Sequence, residues 1–168
     1  EGHIAYLTRW EELDQARRDE VRSCRIPRGA MGHPVIVLRR LSERPTHVLI
    51  TCVSTHGAGP HDDFRAPWER PERMRALGAK VPEDFRAFHG SERPSQVSEY
   101  LHLEGYNAWP KSQTSWVNTQ QVDLVPVAIL GWFTKPRRPQ PLRVTRASLE
   151  DLRDHMARAN WGWGKPVR

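Results

Sequence analysis

Apolar residues in this chain come in short runs broken by prolines, glycines and charges, and the two densest are Val35–Leu38 and Val48–Val53. Short apolar, largely β-branched runs bounded by turn formers read as buried strands. The pattern therefore predicts strands at 34–39 and 46–54, joined as a hairpin across Ser42-Glu43-Arg44-Pro45. "HIAYL" at 3–7 alternates and predicts a first strand, and further strands are expected at 98–104, 114–121 and 122–130. Two stretches carry helical spacing instead. Thr8 opens a Thr-x-x-Glu capping pattern with Glu11, which predicts a surface helix over about 9–22 with a thin apolar face of Trp10, Leu13, Ala16 and Val21. Ser148, with Asp151 three residues on, predicts the N-cap of a last helix near 149–159, carrying Leu149, Leu152, Met156 and Ala159 on one face.

Between 55 and 96 the pattern dissolves into prolines and mixed charges without a period. An irregular segment of that length inside a compact domain is expected to be functional or disordered. Several short strands, one long insertion and a terminal helix, with no βαβ rhythm, predict a mainly β fold with helices, closed as a small barrel. A length of 168 residues suits one domain spanning 1–168.

Composition changes this picture in one respect. Lys and Arg number 26 against 20 Asp and Glu, a net charge of +6, which favours a polyanionic partner such as nucleic acid. The run 135–146, "KPRRPQPLRVTR", holds Lys135, Arg137, Arg138, Arg143 and Arg146 without an acid. It reads either as a phosphate-contacting patch or as a proline-stiffened solubilising loop. No apolar run approaches the ~18 residues that cross a bilayer, and no signal-peptide core is evident. An intracellular, cytoplasmic protein without a membrane partner is the expectation. Cys24 and Cys52 lack metal-site spacing and read as reduced thiols.

The order "AYL", "GHPVIVL", "VLITCVS", "KSQTSWVNTQQVDLV" and a closing helix resembles the PemK/MazF-like family, and most of all its fungal-type members. The helix at 9–22 and the insertion at 55–96 lie outside the resemblance. It implies an SH3-like barrel, usually a homodimer, that cleaves single-stranded RNA as a metal-independent endoribonuclease. The family's threonine at the end of strand three falls on Thr51, and its arginine before the strand-two proline falls on His33. That departure matters. Arginine stays charged and stabilises a phosphorane, whereas histidine near pKa 6.5 also takes and gives protons. A non-catalytic SH3-like module that binds RNA or protein and has lost cleavage is the alternative.

Attack by a ribose 2′-hydroxyl needs a base, an acid and positive charge at the phosphate. His33 and Thr51 are the candidate catalytic residues, with Arg28, Arg39 and Arg40 as the positive charge on the substrate. The opposing reading makes His33 a strand cap and Thr51 an ordinary strand threonine. "STHGAGPHDD" adds His56 and His61 as substrate contacts beside Asp62 and Asp63. Its spacing fits no standard metal site, so no metal or other cofactor is assigned. Trp116 is a candidate stacking platform for a base. A core role is the competing expectation for Trp116 and Trp132, and a dimer or ligand contact for Trp161 and Trp163.

Overall fold

A computed structural model describes residues 1–56, 65–70, 81–105, 108–110, 115–133 and 141–158. Seven strands form an antiparallel sheet: β1 (Ile4–Leu7), β2 (Pro34–Leu41), β3 (Arg44–Ser54), β4 (Phe85–Ala87), β5 (Trp116–Asn118), β6 (Asp123–Pro126) and β7 (Leu130–Trp132). Their order is β4-β5-β3-β2-β1-β7, and β6 also pairs with β3. Two helices accompany them among the described residues, α1 (Gln15–Ser23) and α2 (Arg146–Arg158).

The hairpin of β2 and β3 is the centre of the sheet, as the two dense apolar runs predict. Alternation along each strand sends side chains to both faces, and both faces are covered. Val35 and Val37 of β2 meet Val48, Ile50 and Cys52 of β3 in one cluster, which Val21 of α1 and Ile129 close. Ile36, Leu38 and Val53 belong to the other cluster, under Leu149, Leu152 and Met156 of α2. The ladder slips between Val37 and Arg39, so Leu38 is bulged. Arg153 of α2 donates to the Leu38 carbonyl, its Nε at 3.0 Å, and so ties helix to bulge.

Several expectations are corrected. The ladder is open: β6 and β7 are joined through the 3₁₀ turn Val127–Ile129 and not by strand pairing, so the described residues form no closed barrel. That turn also divides the expected strand 122–130, because Pro126 has no N–H to continue a ladder. The stretch at 98–104 contributes only isolated bridges, Leu101 to Phe88 and Leu103 to Val144. Leu101 and Leu103 supply a strand-like alternation by filling the α2-side cluster, without a strand alongside. The segment 55–96 is not wholly an insertion, since β4 lies within it and pairs with β5. β5 itself spans a small part of 114–121.

Both helix starts move as well. Asp14 caps α1, its carboxylate accepting the Arg17 N–H at 2.8 Å. Thr8 instead donates its hydroxyl to the Ile129 carbonyl at 2.9 Å, and residues 10–12 form a separate 3₁₀ turn. At α2 the Thr145 hydroxyl accepts the Ser148 N–H at 3.3 Å, while Ser148 is buried inside the helix and accepts the His102 N–H at 3.0 Å. Trp132 does not fill a core; it is 67% exposed on β7, edge-on to His3. Arg137, Arg138, Trp161 and Trp163 lie outside the described residues, and no helix among those described is long and apolar enough to cross a membrane.

Candidate functional site

The candidate residues separate into three places. The first is the turn that leads into β2. The 3₁₀ turn Arg28–Ala30 is followed by Gly32 in the left-handed region, φ +79°, a conformation that favours glycine. Gly32 donates to the Leu7 carbonyl at 2.8 Å, and the next carbonyl, that of His33, accepts the Leu7 N–H at 3.0 Å. The turn is thereby pinned to β1, and His33 stands half-buried at the mouth of β2. Beside it opens a cleft of about 320 Å³ lined by Arg9, Trp10, Glu11, Arg28, Met31 and Gly32; His33 adjoins the cleft through Gly32 without lining it.

Positive charge surrounds the indole in this cleft. The guanidinium groups of Arg28, Arg22 and Arg18 lie 4.4, 5.3 and 5.8 Å from the Trp10 ring centroid. Arg18 is committed to structure, donating to the Trp10 and Glu11 carbonyls at 3.3 Å each. Arg22 is paired with Asp19 at 2.7 Å. Arg28 has no ion pair among the described residues, and Arg9 uses its Nε on the Tyr6 hydroxyl at 3.1 Å. Trp10 and Arg9 are members of this site that the sequence reading did not assign to it. The available signal was "TRWEE", a tryptophan next to an arginine in a stretch too polar to bury it.

The second place is interior. Thr51 is fully buried, and its hydroxyl donates to the Asn118 carbonyl at 3.0 Å. It pairs with Ile36 in the ladder and falls, with Leu49 and Val53, on the α2 side of the sheet. Val35 and Val37 fall in the other cluster, and His33 stands just outside β2, ahead of Pro34. The ladder partner of Thr51 is thus three residues along the chain from His33. Trp116 is 1% exposed, donates Nε1–H to the Glu92 carbonyl at 3.0 Å and packs edge-on to Trp68. Buried so, it is no platform for a base, which corrects that expectation. His56 has φ +49°, costly for a residue with a Cβ. Its N–H donates to Ser54 Oγ at 3.0 Å, its Nε2 lies 3.1 Å from the Trp116 carbonyl, and its ring meets Phe85.

The third place is the outer end of β2, where Arg39 and Arg40 are exposed. The backbone N–H of Arg40 donates to Glu1 Oε1 at 3.2 Å. His61 lies outside the described residues, with Asp62 and Asp63. Among the described residues no group of three or more His, Cys, Asp or Glu side chains could hold a metal ion.

A cluster the sequence reading missed lines a larger hollow of about 420 Å³ between β4 and α2. Arg86 is 1% exposed, donates to the Glu99 carbonyl from Nε at 3.0 Å, and pairs with Asp151 of α2. One helical turn on, His155 is held below the usual histidine range by burial and then by the Arg86 charge, against a bond to the Glu83 carbonyl that favours its protonated form. The clue was a charge in the middle of the apolar "FRAF". Among the described residues Glu83, Asp84, Glu99 and Asp151 outnumber Arg86 and Arg158 around the hollow.

No protein-family model matches this chain, and neither a curated protein nor a solved structure shows detectable similarity to it.

Proposed function

We propose that the chain is a divergent, open relative of the SH3-like barrels of the PemK/MazF kind that binds single-stranded RNA without cutting it. The barrel reading is supported by the path β7-β1-β2-β3-β6, five antiparallel neighbours whose two ends are connected by one 3₁₀ turn. RNA is the partner that fits a net charge of +6 and an arginine-rich cleft around an indole. The observation that carries the loss of cleavage is the position of Thr51. Its hydroxyl is sealed in the interior and spent on the Asn118 carbonyl. Cleavage needs base, acid and charge at one phosphate. Binding needs only cations and a stacking surface, and the cleft beside His33 has both.

Incubating the protein with a long unstructured RNA in chelator, then measuring binding and resolving the products, tests this. Intact RNA is expected, bound with a log K that falls against log salt by about 0.7 for each phosphate contact. Absence of binding overturns the proposal, and fragments restore the metal-independent endoribonuclease. The same reading carries a homodimer; light scattering at twice the chain mass supports it, and a monomer at high micromolar concentration refutes it.

A further inference from the structure

The Trp10 cleft is built from residues 9–11 and 28–32, most of it outside the stretches that carry the family resemblance. We infer that it is a subsite for one nucleotide of the RNA, in which the base stacks on the Arg28 guanidinium, itself resting on the Trp10 indole, while a flanking phosphate lies against Arg9. This rests on the RNA-binding reading above and adds where and how a single base is held.

Arg28 is exposed and its guanidinium centre lies 4.4 Å from the indole centroid, so Trp10 orders a side chain that would otherwise sample many rotamers. A guanidinium held in this way presents a second planar face and its N–H edge to a ligand, and arginine planes are a recurring platform for unstacked RNA bases. Around it, Met31 offers a soft apolar wall and Gly32 lets the backbone approach closely. Arg9 keeps Nη groups beyond the Nε it gives to Tyr6, enough for one phosphate. Glu11 is the one carboxylate of the lining among the described residues; it accepts from a ribose hydroxyl or exocyclic amine and repels a di- or triphosphate. The volume, about 320 Å³, sits at the small end of the ~300–1,000 Å³ usual for ligand pockets, which suits one nucleotide and not two.

The experiment compares wild type, Arg28→Lys and Arg28→Gln on an unstructured RNA and on an abasic phosphate–sugar chain of the same length, across a salt series. Lysine keeps the charge and removes the planar face, so Arg28→Lys is expected to weaken RNA binding about tenfold, the size of one lost stacking contact, with an unchanged salt slope. On the abasic chain Arg28→Lys and wild type should bind alike, while Arg28→Gln weakens binding to both. Arg28 is exposed, so these variants fold; Trp10→Phe, with a smaller ring, is expected to fall between wild type and Arg28→Lys on RNA only. Equal RNA affinity for Arg28→Lys and wild type overturns the subsite, as does an equal loss on the abasic chain. In either case wild-type binding still stands and the functional reading survives. Wild type failing to bind any RNA sinks both.

Discussion

Replacing Thr51 by valine separates a structural threonine from a chemical one. The substitution keeps the shape and removes one hydroxyl that donates to the Asn118 carbonyl at 3.0 Å in a fully buried position. A buried hydrogen bond contributes about 1 kcal/mol net, and an acceptor left poorly satisfied costs about 1–3 kcal/mol. The Asn118 carbonyl retains the Gln121 N–H, but at 3.5 Å, so it recovers little. Thr51→Val is therefore expected to destabilise by about 2 kcal/mol, which for a chain of this length lowers Tm by roughly 4–8 °C. Thr51→Ser keeps the donor and loses a methyl worth about 1 kcal/mol, so it should be the milder change. Urea unfolding followed by tryptophan fluorescence reads both, with the slope m unchanged. RNA affinity measured well below Tm should stay within about twofold for each, an order of magnitude less than a lost stacking contact. If Thr51→Val leaves Tm untouched and abolishes RNA binding or cleavage, the hydroxyl belongs to the site and the reasoning fails.

Asp151→Asn leaves the buried Arg86 guanidinium without its counter-charge, and because Asp151 is half-exposed the loss should be about 1–3 kcal/mol in chemical denaturation, against near zero for the exposed Asp154→Asn on the same helix. His155 titrates below its ordinary 6.5 in the folded protein, so the unfolded chain binds more protons in that window; stability is full above pH 6.5 and declines as pH falls through the folded pKa. His155→Gln should flatten that limb of the Tm–pH curve, and an unaltered limb would refute the assignment. Burial pushes the Cys52 thiol up to about 12, so at pH 8 a thiol reagent should label Cys24 quickly and Cys52 only after unfolding, which peptide mass mapping distinguishes.

The β2–β3 hairpin was legible in the chain because its apolar runs are dense enough to be buried on both faces, and β1 because "HIAYL" alternates. The same kind of local signal misled at 98–104. There Leu101 and Leu103 repeat every second residue, yet their partners are Phe88 and Val144, far away in sequence, and only bridges form. Thr8 and Ser148 carry good cap chemistry, but a hydroxyl bonds whichever backbone group the fold places nearest. For Thr8 that is the Ile129 carbonyl, and for Ser148 the His102 N–H. The Trp10 cleft joins residues 9–11 to 28–32 across a turn fixed by contacts with β1, a juxtaposition no local window contains.

The sequence by itself determined which segments must be buried, that the chain ends its core with an amphipathic helix, and that its charge favours an anionic partner. Those follow from side-chain chemistry and spacing, which are local quantities. Tertiary structure alone decided that the Thr51 hydroxyl is spent on the Asn118 carbonyl, that Trp116 is interior, and that Arg86 finds Asp151 from the far side of a hollow. Each of these depends on strand register and on which distant segment covers a face. A one-residue shift of β3 against β2 would turn Thr51 to the opposite side of the sheet, and that register is set by the sum of many long-range contacts, not by any residue near Thr51.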